Sequence, residues 1–214
     1  MAGCSGNLST LDPAGPGASA IATLWWVMLA GSAVIFLATT AVLVLAWRSP
    51  GMARGHQTRL IAWAGVVLPS IVLTALVFFA FLTGERLMAG QGSEPPLRIE
   101  ARSSQWVWTF HYPDMPDATT IDVLHMPVGR DVEFSVTSDD VIHSFWVPRL
   151  GGKIDAIPGH ENSVLLRADK AGTYGGVCAE FCGVGHEAMR FTVIAHPAEE
   201  FEAQLMQLTA GGAQ

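Results

Sequence analysis

Residues 178–189 read Cys178-Ala-Glu180-Phe-Cys182-Gly-Val-Gly-His186-Glu-Ala-Met189. Two thiols, an imidazole and a thioether therefore lie close together in one short segment. Sulfur and imidazole ligands favour transition metals over hard cations. The thioether favours copper, because zinc sites are built from Cys, His and carboxylate ligands and have no use for Met189. This stretch therefore predicts a metal-binding loop.

A further histidine, His143, lies upstream in the segment Asp140-Val-Ile-His143. With it, four interpretations of the cluster stay open. The two histidines, Cys182 and the methionine match a blue copper site in chain order. Cys178 could instead bridge a second copper, so that two metals share two sulfurs and each takes one histidine. Two cysteines and two histidines could also form a tetrahedral zinc site, and the cysteines could be a disulfide or inert buried thiols.

Two long apolar stretches precede this region. Residues 21–47 and residues 60–82 contain no charged side chain. Each is longer than the roughly 20 residues that cross the hydrocarbon core of a bilayer. Trp25 and Trp26 lie where interfacial aromatic residues are expected. We therefore predict two membrane-spanning helices, the second of which accommodates Pro69 as a kink.

Positive charges predict the orientation of these helices. The segment between them carries Arg48, Arg54 and Arg59 and no acidic residue, whereas residues 1–20 carry Asp12 and no basic residue. Lys and Arg accumulate in cytoplasmic loops. We therefore expect the loop in the cytoplasm, with both termini and the chain beyond the second helix outside.

Beyond residue 95 the sequence changes to short β-prone runs separated by Pro, Gly and Asp. Such regularly spaced runs are typical of a β-sandwich or barrel. Residues 198–208 read as a short amphipathic helix with acidic residues in its first turn. The runs predicted as strands are residues 97–103, 106–112, 119–124, 131–137, 143–147, 163–168, 173–177 and 190–195.

Together these features resemble cytochrome c oxidase subunit II. The resemblance rests on the Cys-x-Glu-x-Cys-x3-His-x2-Met motif, on the upstream Asp-Val-Ile-His-Ser-Phe segment, on the aromatic segment 104–108 and on the two-helix anchor. It implies a membrane-anchored all-β protein, in which two N-terminal transmembrane helices precede a cupredoxin-like Greek-key β-barrel. We expect an extracytoplasmic N-terminal tail at residues 1–20, the anchor at residues 21–84 and the copper domain at residues 95–214.

The resemblance also implies a binuclear copper centre, CuA. Cys178 and Cys182 would bridge both coppers. His143 and His186 would each bind one copper. Met189 and a backbone carbonyl of the loop would complete the ligand set.

Two further residues acquire roles from the resemblance. Glu180 would supply that backbone carbonyl, and its side chain would help to hold a magnesium ion shared with subunit I. Trp106 would be the point at which electrons enter. Trp106 and Trp108 alternate along a predicted strand, so we expect both on one face, with Trp108 packed in the core.

The function implied by the resemblance is that of the electron-accepting subunit of a terminal oxidase in a bacterial inner membrane. CuA would take electrons from cytochrome c and pass them to haem in subunit I, which holds haem and CuB and reduces oxygen to water. Other oxidase subunits would complete this proton-translocating complex. Many family members carry a glutamate seven residues before the proline of the second helix, where this chain has Ala62. A proton route at that position is therefore not implied. Quinol oxidase subunits II share the fold but lack the copper cysteines.

The predicted extramembrane region is acidic, with sixteen acidic residues and eight Lys and Arg residues from residue 95 onward. This balance disfavours nucleic acid and favours a cationic protein such as cytochrome c. Two other functions stay open: a membrane-anchored copper-binding assembly protein and a mononuclear cupredoxin electron carrier. Copper chaperones with this cysteine spacing place their histidine far downstream, whereas His143 lies upstream.

Several residues carry weaker signals. Met1-Ala-Gly-Cys4 resembles the end of a bacterial lipoprotein cleavage site. A lipidated Cys4, an unmodified thiol and a truncated start all stay open. Asp139 and Asp140 flank His143, and either could orient its ring or simply face solvent. The remaining histidines lack ligand spacing and are predicted to be surface or hydrogen-bonded residues: His56, His111, His125, His160 and His196.

Overall fold

The computed structural model describes residues 4–48, 57–88, 94–115 and 118–211. Arg54 and His56 lie outside these residues. The described chain forms two compact units. One is the helical segment Thr23–Arg86, and the other joins the residues before it to those that follow. The domain limits inferred from the sequence stay predictions.

Two long apolar helices form the predicted anchor. Helix α1, Pro16–Arg48, contains the whole first apolar stretch. The second helix starts as α2, Gln57–Ala62, continues as a π-helical turn, Trp63–Val67, and ends as α3, Leu68–Met88. Their mean hydropathies of 2.3 and 2.5 and their lengths suit membrane spans.

The π-helical turn lies directly before Pro69. Proline has no N–H to donate, and its ring clashes with the carbonyl four residues earlier, which is that of Gly65. Widening one helical turn by a residue relieves this conflict without breaking the helix. The sequence predicted a kink at Pro69, but it did not predict the π-helical turn that precedes it.

The other unit consists of two five-stranded sheets and a C-terminal helix, α4, Ala198–Gly211. The strand orders are β3-β2-β1-β5-β8 and β4-β10-β9-β6-β7. β1 pairs with β5, and β4 with β10, in parallel, while the other ladders are antiparallel. The strands are β1 Leu97–Ser104, β2 Val107–His111, β3 Thr119–Ile121, β4 Val123–Pro127, β5 Val132–Ser138, β6 His143–Trp146, β7 Ile154–Ala156, β8 Asn162–Leu166, β9 Gly172–Cys178 and β10 Arg190–His196.

The two sheets enclose one core and adjoin at their edges. Rings of Trp108 and Phe134 in one sheet lie 5.5 and 5.1 Å from the ring of Phe145 in the other. At one edge β3 passes into β4 through Asp122 alone, and at the other β7 lies beside β8. The result is the predicted cupredoxin-like Greek-key barrel.

Strand β1 shows how the sequence pattern produces the sheet. The odd-numbered residues of Leu97–Ser104 are buried, whereas Arg98, Glu100 and Arg102 face solvent. Side chains alternate between the two faces of a strand, so this period of two places all the apolar residues in the core.

Two strand predictions differ from the structure. The run 119–124 is interrupted because Asp122 has a φ of 55°, and its carboxylate accepts a hydrogen bond from the backbone N–H of Trp108 at 2.8 Å. A positive φ does not continue a ladder. Strand β7 was missed because three residues between glycine-rich segments show no measurable alternation.

The N-terminal segment packs against the barrel. Ala14 donates its backbone N–H to the carbonyl of Arg149 at 2.8 Å. The Asp12 carboxylate pairs with the Arg149 guanidinium at 2.9 Å. Gly175 in β9 donates its N–H to the carbonyl of Asn7 at 3.1 Å. The chain is therefore fastened to the barrel before it enters α1.

Candidate metal centre

The predicted metal-binding loop, residues 178–189, begins at the last residue of β9 and leads into β10. Cys178 closes β9, and its backbone N–H donates to the carbonyl of Met189 at 3.0 Å. Between them His186–Ala188 forms a single 3₁₀ turn. The two paired strands therefore fix both ends of the loop.

Strand β6 brings the distant histidine to this loop. It pairs with β9 so that Phe145 lies opposite Cys178. The backbone N–H of Ala179 continues this contact by donating to the carbonyl of Ser144 at 3.0 Å. His143, the first residue of β6, is thereby placed beside the first cysteine.

The donor atoms converge in two pairs of one sulfur and one imidazole. The Sγ of Cys178 lies 3.7 Å from Nδ1 of His143, and the Sγ of Cys182 lies 3.6 Å from Nδ1 of His186. The two sulfurs are 3.8 Å apart. The Sδ of Met189 is 3.7 Å from the Cys182 sulfur.

Four of these five residues are shielded from solvent, and His186 is half-buried. Cys178, Cys182 and Met189 are at most 6% exposed, and His143 is fully buried. Within the described residues, the group formed by His143 and the two cysteines is the only set of three candidate ligands whose atoms lie within 4.8 Å of one another. Both thiols are free. Burial and the neighbouring Cys178 sulfur raise the pKa of Cys182 to about 11, so this thiol keeps its proton at neutral pH in the absence of a metal.

The chemistry of this donor set fits copper. Thiolates, imidazoles and a thioether are the ligands that copper prefers. A tetrahedral zinc site would leave the Met189 sulfur unused, although it lies in contact with Cys182. A mononuclear blue copper site would leave Cys178 unused, although it has its own imidazole beside it. The arrangement of one imidazole per sulfur suits two metals that share both sulfurs.

Asp140 is the flanking acid that contacts the site. Its Oδ1 lies 2.9 Å from Nε2 of His143, and its Oδ2 accepts the backbone N–H of Gln105 at 2.7 Å. Because Nε2 donates to the carboxylate, Nδ1 is left free to bind a metal. Partial burial works to raise the pKa of Asp140, but hydrogen bonds from His143, Val141 and Gln105 hold it below its usual value.

The segment before β2 covers the loop. The side-chain amide of Gln105 donates to the carbonyl of Cys182 at 2.7 Å. The Trp106 ring lies so close to the loop backbone that a Cβ added to Gly185 would come within 2.4 Å of it. Glycine at this position therefore permits the ring to pack on the loop. Trp106 remains 41% exposed, so it connects the loop to the surface.

The prediction that Trp106 and Trp108 share a face is wrong. Trp108 is fully buried and packs edge-on to His143 with 6.3 Å between ring centroids. Strand β2 starts at Val107, so Trp106 belongs to the preceding turn, where side chains do not alternate. The core position of Trp108 agrees with the sequence prediction.

Glu180 presents its backbone and its side chain to different groups. Its carbonyl oxygen lies 3.3 Å from the Sγ of Cys178. Its carboxylate pairs with the ammonium of Lys153 at 3.3 Å, and Lys153 also pairs with Asp155 at 3.3 Å. The hydrogen bonds to Asp155 and Glu180 raise the pKa of Lys153.

Two of the other histidines form a pair away from the loop. The Nδ1 of His125 lies 2.8 Å from the Nε2 of His196. His111 contacts the hydroxyl of Thr119 at 3.0 Å. These contacts agree with the prediction that they are hydrogen-bonded residues.

Comparisons with known proteins place the chain in a family. The family profile described as "Cytochrome C oxidase subunit II, periplasmic domain" matches residues 118–196. A cytochrome c oxidase subunit 2 of Alkalihalophilus pseudofirmus is 35% identical, over 98% of this chain and 65% of its own length. A quinol oxidase subunit 2 of Bacillus subtilis is 32% identical, over 95% of this chain and 67% of its own length. This chain belongs to the cytochrome c oxidase subunit II family.

A solved structure of the family agrees with the fold. The periplasmic domain of subunit II of cytochrome oxidase (CoxB) of Bradyrhizobium japonicum is similar with a TM-score of 0.53 and 29% identity, over 56% of this chain and 99% of that domain. The chain spans about two thirds of the length of the two curated relatives. With its two apolar helices, it is a membrane-anchored oxidase subunit II.

Proposed function

We propose that this subunit II holds a binuclear CuA centre and accepts electrons for a terminal oxidase. The observation that carries the proposal is the pair of buried sulfurs of Cys178 and Cys182, 3.8 Å apart, each beside its own imidazole. When bound, the copper pair supplies one-electron redox chemistry between cytochrome c and the haem of subunit I, where oxygen is reduced to water.

The chain holds the candidate ligands on segments whose ends are fixed by paired strands. Strands β6, β9 and β10 fix the ends of both ligand segments through backbone hydrogen bonds. Gln105 holds the middle of the loop through the carbonyl of Cys182. A site that barely moves between two redox states loses little energy to reorganisation, which favours fast electron exchange.

Trp106 is the residue that we propose contacts the electron donor. It is 41% exposed on one side and lies against Gly185 of the loop on the other. The acidic excess of the extramembrane region attracts a cationic donor such as cytochrome c.

We also propose that the carboxylate of Glu180 helps to hold a magnesium ion shared with subunit I. Carboxylate oxygen suits this hard cation, and the carboxylate lies apart from the sulfur donors, beside Lys153. Glu180→Gln should keep copper, because the backbone carbonyl stays in place. Magnesium or manganese occupancy of the assembled oxidase should fall. Unchanged occupancy in this variant would rule out the side-chain role.

Quinol is the second candidate donor, because quinol oxidase subunits are among the relatives. The cysteine pair favours cytochrome c, since a subunit that takes no electrons from cytochrome c has no need of a copper centre here. The assembled oxidase should oxidise reduced cytochrome c with oxygen and should leave ubiquinol unoxidised. Oxidation of ubiquinol alone would overturn the assignment.

A further inference from the structure

A second pair of imidazoles lies at the far end of β10 from the candidate copper ligands. His196 is the last residue of β10, whereas Met189 directly precedes its first residue, Arg190. The seven residues of this strand span roughly 20 Å. The other ring of the pair, His125, lies in the neighbouring edge strand β4. The two histidines are therefore too far from the sulfur pair to supply ligands to it.

Backbone contacts hold both histidines in place. Strands β4 and β10 pair in parallel, with Ile194 opposite His125. Residues two apart on a strand share a face, so His196 projects from the same face of this ladder as His125. The carbonyl of His196 accepts the N–H of Val128 at 2.8 Å, and the N–H of His125 donates to the hydroxyl of Tyr112 at 2.9 Å.

The two rings present neutral nitrogen donors to each other. The Nδ1 of His125 and the Nε2 of His196 are 2.8 Å apart. Burial and the neighbouring His196 lower the pKa of His125 to about 4, and partial burial lowers the pKa of His196. Both rings are therefore neutral at pH 7, and neutral imidazole is the form that binds a metal.

A metal ion fits between these nitrogens after a small movement. Two metal–nitrogen bonds of about 2.0–2.1 Å at a tetrahedral angle place the nitrogens roughly 3.3 Å apart, so they must separate by roughly half an ångström. His196 is half-buried and ends its strand, so a small rotation of its ring breaks no strand pairing. The proton of the present hydrogen bond moves to the other nitrogen of the same ring. Both facing nitrogens are then free to bind, and both rings stay neutral.

A carboxylate lies close to this pair. Glu200 is near enough to His196 to raise its pKa, in opposition to the effect of burial. It belongs to the first turn of α4, which packs on both β4 and β10, and its side chain is exposed. An exposed side chain is free to turn toward a bound cation. Two imidazoles and one carboxylate form a ligand set that zinc binds in proteins.

We propose that His125 and His196 bind a divalent cation of the zinc type, with Glu200 and water completing its coordination. The ion joins the edge strand β4 to the end of β10, directly before α4. Because these ligands include no sulfur, they suit a borderline cation better than the soft Cu(I). A metal that binds only the folded chain stabilises it by mass action, so Zn²⁺ should raise the unfolding temperature.

The test measures Zn²⁺ binding to the purified full chain, in which Cys178→Ser and Cys182→Ser remove both thiolates. This background protein should bind one Zn²⁺. His125→Gln and His196→Gln should each lower the Zn²⁺ affinity at least tenfold in a calorimetric titration. The glutamine amide keeps a hydrogen bond between the strands but is a poor ligand for zinc.

Two further variants sharpen the test. Glu200→Gln should lower the Zn²⁺ affinity by a smaller factor, because both imidazoles remain. This change is on the surface and should leave the fold intact. His111→Gln is the matched control and should keep the affinity, since the ring of His111 contacts the hydroxyl of Thr119 at 3.0 Å rather than a second imidazole.

Co²⁺ provides a second readout in the wild-type chain. Thiolate ligands give bound Co²⁺ intense charge-transfer absorption, which imidazole and carboxylate ligands do not. Co²⁺ bound without this absorption should disappear in His125→Gln and in His196→Gln. The two kinds of site are thus distinguished within one protein, and the result does not depend on whether the sulfur pair holds copper.

Three results would overturn the site. The first is a background protein that binds no Zn²⁺. The second is an equal Zn²⁺ affinity in the background protein and in both histidine variants. The third is an equally large loss of affinity in His111→Gln. A failure of the proposed copper function would appear separately, in the copper content of the wild-type chain.

Discussion

At the scale of single residues, Asp140 decides which nitrogen of His143 faces the sulfur pair. The carboxylate accepts Nε2–H at 2.9 Å and leaves Nδ1 toward Cys178. The carboxylate also places a negative charge beside a candidate copper ligand. It should therefore stabilise the more positive, oxidised form of the bound metal.

Replacing this charge should change the redox potential. Asp140→Asn should raise the reduction potential of the copper-loaded chain, because a negative charge beside the His143 ring is removed. Copper content should stay the same, since the amide oxygen still accepts Nε2–H. A spectroscopic redox titration measures the reduction potential, and elemental analysis measures the copper content. Asp139→Asn is the control, because Asp139 is exposed and pairs with Arg102 at 3.4 Å. Equal reduction potentials in the wild type, Asp140→Asn and Asp139→Asn would contradict the electrostatic role of Asp140.

Substitution of Trp108 should mainly lower the stability of the fold, whereas substitution of Trp106 should mainly slow electron transfer. Trp108→Ala should lower the free energy of unfolding by about 3–5 kcal/mol, because a fully buried ring is removed from the core. Chemical denaturation measures this loss.

Trp106→Ala should lower stability far less, because its ring is partly exposed. It should slow reduction of the copper by cytochrome c at least tenfold, in a stopped-flow measurement. Wild-type transfer in a folded, copper-loaded Trp106→Ala protein would show that electrons enter elsewhere.

The cluster of candidate ligands could be predicted from the sequence, but the contacts that support it could not. The Cys, His and Met spacing already pointed to copper, because few other sites need that combination. Asp139 and Asp140 looked equivalent, since the choice between them depends on how the turn before His143 folds. Gln105 gave no signal, because its hydrogen bond joins residues far apart in the sequence.

At the scale of elements, a histidine pair joins β4 to the end of β10. His125 lies in β4, and His196 is the last residue of β10, two residues before α4. Ring centroids are 5.1 Å apart while the facing nitrogens are 2.8 Å apart, so the nitrogens point nearly straight at each other. Such a bond needs one proton between two neutral rings.

This pair should make the fold acid-sensitive. Burial and the neighbouring His196 lower the pKa of His125 from 6.5 to about 4. Because this pKa is depressed, the folded state binds the proton more weakly than the unfolded state does. The neutral histidine pair therefore contributes its full stability above pH 6.5, and this contribution is lost as the pH falls toward 4. We expect thermal unfolding of the chain to shift to lower temperature across this window. His125→Gln should flatten that dependence, and an equally steep dependence in the variant would contradict the role of the pair.

Strands with regular alternation, such as β1, could be predicted nearly to the residue. The positions at which a strand or a helix is interrupted could not be predicted. Asp122 breaks a β-prone run because its side chain captures the N–H of Trp108. The π-helical turn depends on how the helix adjusts to Pro69. In each case a local contact, invisible in the composition of the segment, overrides the pattern.

At the scale of the whole molecule, the charge pattern predicts which side of the membrane each part occupies. In a Cys4→Ser background, a cysteine at Thr58 should be shielded from a membrane-impermeant maleimide in intact cells. A cysteine at the exposed Asp114 should be labelled. Lysed cells provide the control, because both positions should then react. Labelling at Thr58 with protection at Asp114 would reverse the proposed orientation.

The sequence predicted the two apolar helices, the β-sheet domain and the cluster of candidate ligands, because each has its own pattern of hydrophobicity or ligand spacing. It did not reveal that the segment around Ala14 is fastened to the barrel. That contact is made by backbone groups of Ala14 and Arg149 and by small residues such as Gly15, whose Cβ would lie 2.1 Å from the carbonyl oxygen of Arg167. Backbone contacts between distant segments leave little trace in composition.

The central claim is that two coppers share the sulfurs of Cys178 and Cys182. Its most direct test is electron paramagnetic resonance of the fully loaded, purified full chain, together with its copper-to-protein ratio. Cys178→Ser is the control, and it should give the pattern of a single copper nucleus. For the wild-type chain we predict two coppers and a hyperfine pattern from one unpaired electron shared equally by two nuclei. One copper per chain with a single-nucleus pattern in the wild type would contradict the account.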